Sequence, residues 1–185
     1  MFPGFEQLAA QCAPQVAPST LAAIVRVESG GNPWALNVNG PQPLPRQPSS
    51  RLEAAAWARW LVRHGYSVDM GLAQVNSRHL ERLGLDAGDL FDPCTNLQAG
   101  GRILRENYAG ASRKLGPGQD ALHAALSAYN TGNYRRGFDN GYVFKVVAAA
   151  QAPAPSPRLL PAPGLRPPRP APGTPGQARV FWLPR

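Results

Sequence analysis

No stretch of the 185 residues approaches the roughly 20 apolar residues that a membrane span requires, so no membrane span is expected. The first residues, MFPGFEQLAAQCAP, have neither a basic start nor an apolar run of useful length, and no secretory signal is read from them. Cysteine is scarce. Cys12 and Cys94 have no CxxC spacing and no histidine beside them, which argues against a metal site. They are either two separate buried thiols or one long-range disulfide, and the latter needs an oxidising compartment. Strand–helix alternation is missing too, which argues against a parallel-sheet architecture.

Acidic residues are absent from 151–185, QAPAPSPRLLPAPGLRPPRPAPGTPGQARVFWLPR, which holds 11 of the 21 prolines and five arginines. Lacking a periodic apolar face, this segment cannot offset the entropy of ordering, and it reads as a disordered or polyproline-like tail. The working domain is then residues 1–150. The tail contributes +5 of the net charge of +8; the other 14 basic residues face 11 acidic ones, leaving the domain at +3. The basic balance therefore belongs to a solvated tail, and no nucleic-acid partner is expected.

What is present reads as short helices. FEQLAAQC is one, and Ser19 or Thr20 can cap the next, which runs to Glu28 and stops at Gly30-Gly31. Residues 32–48 form a long irregular loop. SRLEAAAWARWLVRHG has capping-box spacing at Ser50 and Glu53, with Leu52, Ala56, Trp60 and Val62 as its apolar positions. YSVDMGLAQVN is the one strand-like stretch. SRHLERLG is a helix, Asp92 and Pro93 then open another as N-cap and first residue, and two more follow, near 119–129 and from Tyr142. Seven short helices and at most a small hairpin make a mainly α domain.

Glu28 is the anomaly. Leu21, Ile24 and Val25 stand seven, four and three positions before it, so a carboxylate continues an apolar helical stripe. Burial and the negative end of the helix dipole both raise its pKa, and a carboxylic acid so held is a proton donor. A salt bridge to a domain arginine, or rotation into solvent, is the bland alternative. MGLAQVN and SAYNTGNY concentrate amides, hydroxyls and small residues. Gln74 and Asn76 can donate and accept at once, as sugar hydroxyls and N-acetyl groups require, while Tyr129 and Tyr142 pair a ring with a hydroxyl.

The order ESGGNPWA, GLAQVN, AYNTGN resembles the soluble lytic transglycosylases, whose lysozyme-like domain, of the α+β superfamily, cleaves bacterial peptidoglycan. The chain departs from that pattern at Ala73, where Met is usual and where a smaller side chain would widen the cleft floor. CAPQVAPSTLAAIVRVESGGNPWALNVNG, DMGLAQVNSRHL, DPCTNLQAGGRIL and NGYVFKV are similar to the specialised transglycosylases of type IV secretion systems. That resemblance implies a Cys12–Cys94 disulfide and export to the periplasm; a signal upstream of Met1 would reconcile this with the chain's start.

The resemblance also implies the chemistry. Glu28 acts alone, protonating the glycosidic oxygen between N-acetylmuramic acid and N-acetylglucosamine and then deprotonating the C6 hydroxyl, which closes a 1,6-anhydro ring without cofactor or metal. Ser29 orients the acid or the substrate, and Gln74, Asn76 and Asn130 bind sugar polar groups. Tyr129 and Tyr142 line the cleft, one of them touching Glu28. Asp69 is a possible second carboxylate: it would activate water in a hydrolase, or else merely brace its turn. His64, His79 and His123 read as surface or helix-face residues. A non-enzymatic reading makes the chain an assembly factor of the secretion system, docked through Val180-Phe181-Trp182-Leu183 in the tail.

Overall fold

The structure is a computed structural model and describes residues 4–41 and 43–151; the expectations for the proline-rich tail fall outside these residues, Gln151 excepted. The chain forms α1 (Phe5–Cys12), α2 (Pro18–Glu28), β1 (Leu36–Val38), α3 (Arg51–Arg63), β2 (Val68–Met70) and β3 (Val75–Asn76). After these come α4 (Leu80–Leu83), α5 (Pro93–Leu115), α6 (Gln119–Thr131), α7 (Arg136–Asp139) and α8 (Tyr142–Gln151). This is the mainly α class, with one small antiparallel sheet in the order β1-β2-β3.

The sheet is larger by one strand than the expected hairpin. β1 lies inside the loop read as irregular, and its register on β2 pairs Leu36 with Met70 and Val38 with Val68. Leu36, Val68 and Met70 are buried while Asn37 is exposed, so a three-residue alternation suffices to bury one face. Three residues flanked by Asn, Pro and Gly are too few to stand out as a strand in sequence.

Two helices also differ from the reading in detail. α2 starts at Pro18 with Ala17 as N-cap and no side-chain cap, because proline's fixed φ already suits the first helical position; neither Ser19 nor Thr20 caps it. In α3, Ser50 accepts from the Glu53 N–H at 3.2 Å, as its spacing predicts. The buried stripe of α3, however, is Ala54, Ala55, Ala58 and Leu61, with Leu52, Ala56 and Trp60 outside. Alanines let the helix approach the core closely, and the bulkier residues fall on the open face.

α5, 23 residues long, is the spine of the domain: α1, α6 and β3 all pack on it, while α2 packs on α8. Asp92 caps α5, accepting from Thr95 N–H at 2.9 Å. Cys12, ending α1, is joined to Cys94 in the first turn of α5, 82 residues apart in sequence. Together these elements leave the end of α2, the sheet and the end of α6 facing one cleft.

Candidate active site

Glu28 is the last residue of α2, partly buried, and Tyr142, the first residue of α8, donates its hydroxyl to Glu28 Oε1 at 2.6 Å. Burial raises the Glu28 pKa to about 7; the Tyr142 bond opposes the rise and the charge of Asp69 adds to it. The carboxyl group is therefore divided between its protonated and ionised forms near neutrality. Tyr142 itself is buried, and its own pKa is pushed up by desolvation and by Glu28, so it remains a donor.

Glu28 opens on a cleft of about 300 Å³ whose other walls include Asn39, Ser67, Asp69, Gln74, Asn76, Tyr129 and Asn130. Ser29 does not reach into it as a free hydroxyl. Its Oγ donates to Leu72 O at 2.7 Å and accepts from Gly31 N–H at 3.2 Å, tying the end of α2 to the turn between β2 and β3. Tyr129 ties α6 to the same turn, its hydroxyl donating to Ala73 O at 2.7 Å. Burial of that hydroxyl carries its pKa well above the ordinary tyrosine range.

The turn, residues 71–74, is wired through its main chain. Gly71 has φ 74°, and a Cβ there would sit 2.3 Å from both Asn96 Nδ2 and Leu90 O, so only glycine fits. The close approach is to the Asn96 side chain of α5 and to the Leu90 carbonyl just before it. Gln74 takes φ 46°, which is costly for a side-chain-bearing residue. Its Nε2 donates to Ala35 O at 3.1 Å and Gly71 O at 3.0 Å, leaving Oε1 without a partner among the described residues. Ala73 is wholly buried, and its methyl meets α5 where Gly100 leaves no room for a Cβ. The cleft floor is therefore not widened by Ala73.

Asp69 stands on β2 facing the cleft, held by two amides: Asn76 Nδ2 to Oδ1 at 2.7 Å and Asn39 Nδ2 to Oδ2 at 2.8 Å. Asn76 is thus engaged with Asp69 and, at 3.1 Å, with Ser67 Oγ. Asn130, at the end of α6, is exposed and accepts from Asn140 Nδ2 at 2.9 Å. Seven residues picked from sequence, Glu28, Asp69, Gln74, Asn76, Tyr129, Asn130 and Tyr142, thus meet at one place; Ser29 and Tyr129 hold the turn as well.

Sequence reasoning missed several groups. Asn39 and Ser67 gave no signal, being ordinary loop residues. His79, read as a surface histidine, lines the cleft, and burial beside Arg78 and Arg82 lowers its pKa. Asn96 is wholly buried inside α5; it accepts from Ala73 N–H at 2.7 Å and donates to Met70 O and Leu90 O, each at 2.8 Å. A polar residue on the apolar face of α5 was the available signal. Among the described residues no cluster of His, Cys, Asp and Glu is arranged to hold a metal ion, and no helix is long and apolar enough to cross a membrane.

The type IV secretion system protein virB1 of Brucella suis is 48% identical over 153 residues, covering 79% of this chain and 63% of that protein. Protein virB1 of Rhizobium radiobacter is 43% identical over 153 residues, covering 82% of this chain and 63% of that protein. The chain spans less than two thirds of the length of these curated relatives. No solved structure matches. Residues 7–149, which include every cleft residue named above, match the transglycosylase SLT domain, and the chain belongs to that family.

Proposed function

We propose that this chain is a peptidoglycan lytic transglycosylase that acts in the periplasm and opens the cell wall locally for a type IV secretion apparatus. The observation that carries the reading is Glu28. It is a carboxyl group with its pKa raised to about 7, on a polar cleft, oriented by a tyrosine hydroxyl at 2.6 Å.

In the reaction, protonated Glu28 gives its proton to the β-1,4 oxygen linking N-acetylmuramic acid to N-acetylglucosamine, and the bond from muramyl C1 to that oxygen breaks. The muramyl N-acetyl oxygen stabilises the positive C1. Glu28, now ionised, takes the proton of the C6 hydroxyl, whose oxygen closes on C1 to give the 1,6-anhydro end. A group that must give and then accept a proton works best with a pKa near the working pH. Gln74 Oε1 and the Asn130 amide supply acceptors and donors for sugar N-acetyl and hydroxyl groups. Asp69, clamped between Asn39 and Asn76, serves as a braced charge and not as a base for water.

Mass spectrometry of muropeptides released from purified peptidoglycan tests this. Anhydro-muramyl products are expected from the wild type and from Asp69→Asn, and none from Glu28→Gln. Reducing-end products that vanish in Asp69→Asn would instead establish hydrolysis. Cleavage by Glu28→Gln at the wild-type rate would overturn the assignment.

A further inference from the structure

Arg78 brings a guanidinium to the Glu28 cleft, and neither proton-transfer step uses it. It stands in a 3₁₀ turn, Ser77–His79, that joins β3 to α4. The turn is pinned at its start: Asn76 Oδ1 accepts from Arg78 N–H at 3.0 Å, and Ser77 Oγ accepts from Val68 N–H at 3.1 Å. Asn76 also holds Asp69, at 2.7 Å, so the main chain at Arg78 is fixed to the cleft wall that carries Asp69.

The charge of Arg78 is left open. Arg82 and Arg102 both pair with Glu106, whereas Arg78 is exposed and has no carboxylate partner among the described residues. Asp69 is not its partner, since the two Asp69 oxygens accept from Asn76 and Asn39. The Arg78 Nε–H donates to His79 Nε2 at 3.3 Å, and its terminal nitrogens have no partner among the described residues. Burial and the charges of Arg78 and Arg82 lower the His79 pKa. The imidazole is thus a neutral prop that steadies the guanidinium without compensating it.

A guanidinium offers a planar fork of N–H donors that matches a carboxylate, and a sugar hydroxyl has no charge for it to meet. Peptidoglycan supplies carboxylates beside its sugars, because its muramyl units bear peptide stems with free acid groups. The cleft, at about 300 Å³, has little room beyond the sugars themselves. The stem of a muramyl unit held at Glu28 must therefore lie along the open rim. Arg78, which lines the cleft and is exposed, stands at that rim.

We propose that Arg78 is a specificity-determining residue for glycan that still bears its stems, its guanidinium binding a stem carboxylate at the rim of the Glu28 cleft. The proposal rests on the peptidoglycan reading. Binding tests it in the Glu28→Gln background, so that the ligands stay intact. The ligands are glycan strands freed from sacculi by an endopeptidase, the same strands stripped of stems by an amidase, and a neutral chito-oligosaccharide. Adding Arg78→Gln should weaken binding of stem-bearing strands roughly three- to tenfold, as for one charge-assisted contact at an exposed rim. Arg78→Lys should fall between, and the chito-oligosaccharide should bind all three proteins alike. Stripping the stems should bring Glu28→Gln down to the level of Glu28→Gln/Arg78→Gln. Equal binding of stem-bearing strands with and without Arg78→Gln would overturn the assignment, and so would an equal loss on the chito-oligosaccharide. A loss that persists on stripped strands would overturn it too, since the lactyl carboxylate freed by the amidase would then be the group bound. If Glu28→Gln binds none of the ligands, the peptidoglycan reading falls as well.

Discussion

Glu28→Gln exchanges one oxygen for an amide nitrogen and leaves a group that can still accept from Tyr142, so its effect on stability isolates the cost of holding the carboxylate. The folded protein raises the Glu28 pKa from 4.5 to about 7. Between those values the folded state binds more protons at this site than the unfolded chain, so stability is full below about pH 4.5 and is lost as pH rises to 7. The difference of 2.5 units, at about 1.4 kcal/mol per unit, puts the loss at about 3 kcal/mol. The glutamine variant has no such loss. It should match the wild type near pH 4 and exceed it by about 2–4 kcal/mol at pH 8, a rise in Tm of roughly 5–15 °C for a domain of this size. Thermal unfolding of both proteins at pH 4, 6 and 8, followed by circular dichroism, measures it. A difference that does not change with pH, or a less stable variant at pH 8, would refute the account of a buried and costly carboxylate.

Tyr142→Phe removes the one interaction that favours ionised Glu28, so the Glu28 pKa should climb further. A hydrogen bond to a charged group, worth about 1.5–3 kcal/mol, corresponds to about 1–2 units, and the basic limb of the kcat/KM profile for glycan cleavage should move up by that amount. An unmoved limb would count against the contact. The Cys12–Cys94 bridge closes a loop of 82 residues, which chain entropy values at about 4–5 kcal/mol at most; Cys12→Ser/Cys94→Ser should lower the urea midpoint, and reductant should bring the wild type to the same value. Asn96→Ala leaves Ala73 N–H, Met70 O and Leu90 O without their buried partner. At about 1–3 kcal/mol for each such group, a loss of at least about 3 kcal/mol in equilibrium unfolding is expected.

Local signals made much of the fold and of the candidate site legible. Asp92 and Pro93 announced the start of α5, and Ser50 that of α3, because capping is a contest among neighbours in sequence. Glu28 was legible because a carboxylate interrupted a helical stripe. The face of α3 was misread because hydropathy ranks Leu52 and Trp60 above alanine, while close packing put Ala54, Ala55 and Ala58 inside. Asn39 could not be found from local pattern at all, and Asn96 announced itself only as a polar residue on an apolar helix face, with nothing to say what it bonds. Their roles depend on partners 30 residues away at Asp69, and 23 and 26 away at Ala73 and Met70.

The turn between β2 and β3 is addressed by its neighbours almost wholly through peptide groups. Ser29 reads the carbonyl of Leu72, Tyr129 that of Ala73, Asn96 that of Met70 and the N–H of Ala73, and the Gly71 N–H donates to Ala35 O at 2.8 Å. None of these contacts uses the side chain of Leu72 or Ala73. The positions of Glu28, Tyr129 and Gln74 are thus specified by a feature that amino-acid replacement hardly alters, since peptide groups are common to every residue. Positions 72 and 73 are free to drift in volume as long as the space against α5 drifts with them, and alanine facing Gly100 in place of methionine is one such paired setting. Gly71 has no such latitude, because there the neighbours approach the backbone so closely that any side chain would have to displace them.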